Sequence, residues 1–146
     1  MIKRDARYEY VQDKIYNSQT QKQLDLLGHC IANRMQVMEE IQSSIIHLNK
    51  TDFKEFRIGR GDTEGIVNYP LTVGNIQFSA FVTDQSNIIK FSLRSKGDIP
   101  VNELARDHFN GGGHINAAGG YMHTSLKNAL EKLHSVVTPF MKKYIQ

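Results

Sequence analysis

Tryptophan is absent from this chain of 146 residues, proline occurs three times and cysteine once. A lone Cys30 excludes an intramolecular disulfide framework and any zinc site built from several thiolates. No stretch approaches the roughly 18 consecutive apolar residues of a transmembrane helix. Lys3, Arg4, Asp5, Arg7, Glu9, Asp13 and Lys14 leave no room for the apolar core of a signal peptide. A strong excess of one charge is also missing, since 18 basic residues against 15 acidic ones leave only +3. That excludes a polycationic arm that coats nucleic acid by charge alone, while a local basic patch stays open. What is present is a globular composition, because Leu, Ile, Val and Phe make up about 27% of the chain. Chains below about 20% with high net charge tend to stay disordered. The length suits one domain, or one plus an appendage. The expectation is a soluble chain of a reducing compartment, in the cytoplasm and off the membrane.

Residues 1–19 mix charges with Tyr8, Tyr10 and Tyr16 without a clear period and read as a linker or extended arm. From Thr20, Leu24, Leu27, Ile31, Met35 and Met38 recur at helical spacing, which predicts an amphipathic helix to about Met38. Ile45, Ile46 and Leu48 suit a short buried strand, and Thr51 can cap a brief helix through Phe56. Gly59 to Gly65 form a loop into a short helix with Asp62 as N-cap, ended early by Pro70. Ile76, Phe78, Ala80 and Val82 alternate with polar residues, as do Ile89, Phe91 and Leu93. With Thr83 to Asn87 as the turn, the two runs predict an antiparallel hairpin. Val101 to Phe109 read as a helix with Leu104, Ala105 and Phe109 inward. Tyr121 to His123 make a short strand, and Ser125 caps a final helix that bends at Pro139. The fold class is α/β, a small mixed sheet with an antiparallel hairpin, covered by helices.

Two segments can carry chemistry. Asn110-Gly111-Gly112-Gly113-His114-Ile115-Asn116-Ala117-Ala118-Gly119 places three glycines in a row, at an entropic cost that calls for a reason. One reason is positive φ, expected at Gly112, which would aim successive N–H groups at one point. A following helical turn would complete an anion nest, with His114 as a further donor. The plainer reading is a glycine-rich turn that happens to precede a histidine. In Ser92-Leu93-Arg94-Ser95-Lys96-Gly97, Lys90, Ser92 and Arg94 share one strand face. Arg94 there suits a bidentate grip on phosphate, with Lys96 as a mobile charge; the alternative is a solvated, charge-protected hairpin edge. Acidic residues in Asp62-Thr63-Glu64 need no more explanation than a helix dipole. No His/Asp pattern assembles a metal site.

The Gly111-Gly112-Gly113-His114 and Ala117-Ala118-Gly119 strings resemble the signature of the DHH-associated domain, the C-terminal half of DHH-family phosphoesterases. The resemblance extends through Asp62-Thr63-Glu64-Gly65-Ile66-Val67-Asn68, Ser92-Leu93-Arg94-Ser95-Lys96 and Val101-Asn102-Glu103-Leu104-Ala105. It implies an interlobe connector arm and helix over 1–40 and a substrate-binding domain over 41–146. It also implies a hydrolase that cleaves short oligoribonucleotides or removes phosphate from nucleoside 3′,5′-bisphosphates. In this reading Arg94, Ser95, Lys96, Gly111, Gly112, Gly113 and His114 bind substrate phosphate. Asp62, Thr63, Glu64, Asn68, Asn110 and Asn116 line the cleft. The Asp-His-His motif is missing from the sequence, so catalytic residues and metal ligands are expected outside it, in an N-terminal DHH lobe. That lobe would hold two divalent metals, manganese by resemblance. The expected partners are short RNA or a nucleotide phosphate, the DHH lobe, and a second copy paired through the Leu24–Met38 helix. The alternative function is a non-catalytic RNA-binding module, similar to the C-terminal domain of alanyl-tRNA synthetases.

Overall fold

The Thr20 hydroxyl accepts from the Gln23 N–H while the Gln23 side chain accepts from the Thr20 N–H, and this reciprocal cap starts the first helix. The computed structural model describes residues 19–145. The arm expected over 1–19 therefore lies, but for its last residue, outside the described residues.

Helix α1 (Gln21–His29) is shorter than its apolar spacing suggests. It passes into a π-helical turn, Cys30–Arg34, and the chain then extends as strand β1 (Met35–Met38). Two tertiary interactions override the helical period. Met35 to Met38 pair antiparallel with the next strand, and Arg34 is drawn onto Asp52. The buried face also differs from the expected stripe. Leu26 and Cys30 are fully buried, whereas Leu24 and Ile31 are exposed.

Strand β2 (Ser43–Leu48) is followed by helix α2 (Lys50–Glu55), capped by Asn49 rather than Thr51. Gly59 to Gly65 form the expected loop, but Gly65, at φ +84°, precedes a 3-10 helix, Ile66–Thr72. Asp62 instead accepts from the Gly59 N–H and pairs with Lys22 at 2.7 Å, which fastens the loop to α1. Pro70 lies buried inside the short helix and does not end it. Strands β3 (Phe78–Gln85) and β4 (Ile88–Ser95) form the predicted hairpin. Its turn is only Ser86 and Asn87, both at positive φ, as a tight two-residue connection requires. Thr83 to Gln85 stay in the ladder despite their polarity.

Helix α3 (Val101–His108) buries Val101, Leu104 and Ala105, with Phe109 just beyond it. The glycine run is then not a loop into a helix. It is strand β5 (Gly112–His114), which turns at Ile115 and Asn116 into β6 (Ala117–Met122). Ser125 caps α4 (Leu126–Lys142), which continues through Pro139.

The six strands form one mostly antiparallel sheet in the order β1-β2-β3-β4-β6-β5, with β2 and β3 parallel. One face is covered by α3 and α4 over a core that includes Ile45, Phe78, Val82, Phe91, Leu93, Leu133 and Met141. Among the described residues, the other face is covered mainly over β2 and β3. There Ile46, Leu48 and Phe81 meet Leu26 and Cys30 from the α1 side and Ile66 and Val67 from the 3-10 helix. Over β4, β6 and β5 this second face carries Lys90, Ser92, Arg94, Gly119, Tyr121, Gly112 and His114, none of them buried.

Asp52 joins the elements of the covered half. Its carboxylate accepts from Arg34 Nε at 2.9 Å and Nη2 at 2.8 Å, from His29 Nε2 at 2.9 Å and from the Asn49 N–H at 3.0 Å. Burial alone would raise its pKa; the bonds from Arg34, then Asn49 and His29, outweigh burial and lower it to about 2. A carboxyl held below its ordinary value of 3.8 stabilises the fold above that value and loses the effect as pH falls toward 2. The wild-type chain is expected to lose about 2 kcal/mol of stability between pH 4 and pH 2 through this group. Asp52→Asn should start less stable at neutral pH and lack that part of the acid limb, as denaturant titrations at several pH values would show.

Candidate functional site

The open half-face is built from cross-strand rows. Ser79, Arg94, Ala117 and His114 stand opposite one another across β3, β4, β6 and β5. The next row is Phe81, Ser92, Gly119 and Gly112, and the one after it is Thr83, Lys90 and Tyr121. Paired residues of an antiparallel ladder project to the same side. Arg94 and His114 are thus brought to one face on either side of Ala117. The row beside them offers a bare floor, because Gly112 and Gly119 carry no side chains.

The glycines have separate duties. An added Cβ at Gly111 would lie 1.8 Å from the Gly119 carbonyl oxygen, and one at Gly120 would lie 2.3 Å from that of Phe109. Gly113 has φ +146°, and a Cβ there would lie 2.6 Å from the Ala117 carbonyl oxygen. Gly112 meets nothing within 4 Å and its φ is not positive. The strain expected at Gly112 therefore falls on Gly113. The expected helix N-terminus beyond His114 is replaced by a hairpin turn, so no helix dipole contributes an anion nest.

Arg94 is held in place by its own chain. Nη1 donates to the Leu93 carbonyl at 2.9 Å and reaches the Ala118 carbonyl at 3.5 Å. Among the described residues no carboxylate pairs with it. Ser79, in the same row, has a buried hydroxyl without a hydrogen-bond partner among the described residues. A cavity of about 330 Å³ opens beside Arg94, lined by Thr63, Glu64, Phe81, Gln85, Lys90 and Ser92 among others.

Other residues expected at the site are committed elsewhere. The Ser95 hydroxyl is buried, donates to the Ile99 carbonyl at 2.6 Å and accepts from the Asn116 amide at 3.0 Å. Asn116 also donates to the Gly97 carbonyl, so the two side chains lock the β4 exit to the β5–β6 turn. Lys96 reaches the Val73 carbonyl at 3.3 Å. Asn110, at φ +53°, donates to the Tyr121 carbonyl. Asp62 is held by Lys22, and Asn68 is exposed. Thr63 and Glu64 do line the cavity. Lys90, Gln85, Gly119 and Tyr121 are further members of this face or its cavity that the expected set lacks. The signal was available for Lys90, which alternates in register with Ser92 and Arg94.

The His29–Asp52–Arg34 cluster beside Cys30 has the residue types of a nucleophile site without the chemistry. Burial first, and then the Asp52 charge, push the Cys30 thiol up to about 12, so no thiolate is available near neutral pH. Among the described residues no group of three or more His, Cys, Asp or Glu side chains could hold a metal ion. No helix of the described residues is long and apolar enough to cross a membrane.

The sequence profile of the DHHA1 domain matches residues 38–143. A crystal structure of an exopolyphosphatase-related protein from Bacteroides fragilis is similar, with a TM-score of 0.88 at 36% identity. The match covers 92% of this chain and 39% of that one. A pGpG-specific phosphodiesterase from Vibrio cholerae superposes with a TM-score of 0.59 over 82% of this chain and 39% of its own. At 19% identity that likeness concerns the fold alone. No curated protein matches the sequence.

Gly120 and Gly112 make a direct test of the geometry. Gly120→Ala is expected to destabilise the chain by about 3 kcal/mol, the upper range for overpacking against a backbone that cannot yield. Gly112→Ala should leave the thermal midpoint within a degree or two, and the two variants can be compared by calorimetry.

Proposed function

The chain belongs to the DHHA1 domain family, and from that premise we propose that it is the substrate-binding lobe of a metal-dependent phosphoesterase. The substrates in this reading are short oligoribonucleotides or nucleoside 3′,5′-bisphosphates. One observation carries it: Arg94 and His114 share a row on the open half-face, beside a glycine floor and, among the described residues, without a carboxylate partner for Arg94.

A phosphate needs fixed donors, and the Arg94 guanidinium supplies them. One nitrogen is spent on backbone carbonyls, which orients the plane and leaves its other N–H groups for an anion. His114 adds a ring N–H across Ala117. Gly112 and Gly119 let a sugar or base lie against backbone where any side chain would lift it away. Lys90 adds charge at the far end of the same strand face. Ser95 and Asn116 act through the frame, holding the strand ends that present Arg94 and His114.

Activation of water and charge neutralisation on the transferring phosphoryl group are the work of divalent metals in this chemistry. The described residues do not fit such ions, so no step through a metal is assigned to them. In this proposal the two metals, manganese by family resemblance, belong to a DHH lobe with which the open half-face makes a closed cleft.

Two outcomes test the proposal. A 5′-phosphorylated dinucleotide should bind the chain measurably at low salt by calorimetry. Arg94→Ala should weaken it by about 10- to 100-fold, the effect of losing hydrogen bonds of about 1.5–3 kcal/mol to a charged group. Lys142→Ala, at the end of α4, should leave binding unchanged; equal losses in both variants would mean diffuse charge attraction and overturn the site. The chain with added manganese should release no phosphate from dinucleotide or bisphosphate above a buffer blank. Activity that tracked the chain through purification would overturn the division of labour.

A further inference from the structure

The cavity beside Arg94 does not end at Lys90. Thr63, Gln85 and Lys90 also line a larger groove of about 920 Å³. Its walls bring together Lys50 and Lys54 from α2, Arg60 from the following loop and Lys90 from β4. Asp84 is its one acidic lining residue. Among the described residues none of the four cations has a carboxylate within ion-pair distance. Lys50, Lys54, Arg60 and Lys90 are all exposed. For a chain of net charge +3 this is a concentrated positive field, in which Lys90 of the hairpin joins three cations that lie close together in sequence.

The groove also has direction. Arg94 and Lys90 are four residues apart on one strand, about 13 Å at the rise of an extended chain. Lys50, Lys54 and Arg60 line the groove together with Asp84, Gln85 and Ser86 at the hairpin end, the end of β4 at which Lys90 lies. A row of cations that continues from a phosphate grip suits a polymer with regularly spaced phosphates better than a single small anion. Phe53 and Ile58 supply apolar surface between the charges, as grooves for single strands commonly do.

We propose that the Lys50–Lys54–Arg60–Lys90 groove holds the downstream phosphates of a single-stranded oligonucleotide whose terminal phosphate sits at Arg94, so that this lobe favours oligonucleotides longer than dinucleotides. The inference rests on the reading of the Arg94–His114 face as a nucleotide-phosphate site, and its test separates the two. The full 146-residue chain is titrated with a 5′-phosphorylated dinucleotide and a 5′-phosphorylated hexanucleotide at several salt concentrations. The wild type should bind the hexanucleotide at least 10-fold more tightly and with a steeper salt dependence, since each phosphate contact to a single strand adds about −0.7 to the slope.

Lys50→Gln/Lys54→Gln/Arg60→Gln should bind the dinucleotide as the wild type does and lose the hexanucleotide advantage, with a slope shallower by about 2. The single variants Lys50→Gln and Arg60→Gln should each lose part of it, which keeps the test valid if the triple variant has a lowered thermal midpoint. Equal wild-type affinity for the two lengths would overturn the groove. So would an unaltered hexanucleotide affinity in the triple variant, while loss of dinucleotide binding in Arg94→Ala left the cleft reading intact. Dinucleotide binding untouched by Arg94→Ala would instead remove the cleft reading and the groove with it. Inorganic polyphosphate or polyglutamate of matched charge, bound as tightly as the hexanucleotide and weakened as much in the triple variant, would overturn the oligonucleotide assignment.

Discussion

Backbone packs directly on backbone where the end of α3 meets β5 and β6, and the open face depends on that contact. Gly111 faces the Gly119 carbonyl, Gly113 faces that of Ala117 and Gly120 faces that of Phe109, at distances no Cβ could share. The close approach lets the three-residue strand β5 join the sheet as its outer member. It also brings Phe109 under β6, where its ring packs against Phe91 at 4.4 Å between centroids. A side chain in place of Gly111 or Gly120 would push the outer strands away from the core. His114 would then leave its row with Arg94.

The cleft exists because the second face of the sheet is covered unevenly. α1, α2 and the 3-10 helix bury Ile46, Leu48 and Phe81, and Asp52 ties that half together through Arg34, His29 and Asn49. Among the described residues, Ser92, Gly119 and Gly112 are left half-buried or exposed. The 3-10 helix and its preceding loop thus form one wall, with Thr63, Glu64, Gly65 and Val67 facing the polar ends of β3 and β4. Polarity of Thr83 and Gln85 in a strand follows from this position. Both line the cavity, one of them buried beside Lys90 in the ladder.

The two charge arrangements differ in kind. At Asp52 a buried carboxylate is matched by several donors, and its charge is spent on holding the fold. At Arg94 the backbone fixes the guanidinium and leaves its charge without a carboxylate partner among the described residues. A satisfied cluster is a joint; an oriented cation over an open floor is, in the proposed reading, a place for an anion.

Local order was legible in the sequence wherever one short period or one turn decides it. Alternation in Phe78–Val82 and Ile89–Leu93 gave the hairpin, and the apolar spacing of Leu104, Ala105 and Phe109 gave α3. Capping chemistry placed the start of α4 at Ser125, and the glycine string with His114 carried the family resemblance. Long-range pairing decided the rest. Met35 to Met38 fit a helical stripe, yet a free edge on β2 made them a strand. The glycine run could precede a helix or form a hairpin, and β4 settled that by pairing with β6. Ser95, expected on phosphate, and Asn116, expected in the cleft lining, are brought to each other by the fold. Lys90 shares a groove with Lys50, Lys54 and Arg60, a meeting that only the fold makes. Periodicity reports which side of its own element a residue occupies, whereas neighbours across a sheet are chosen by chain closure over tens of residues.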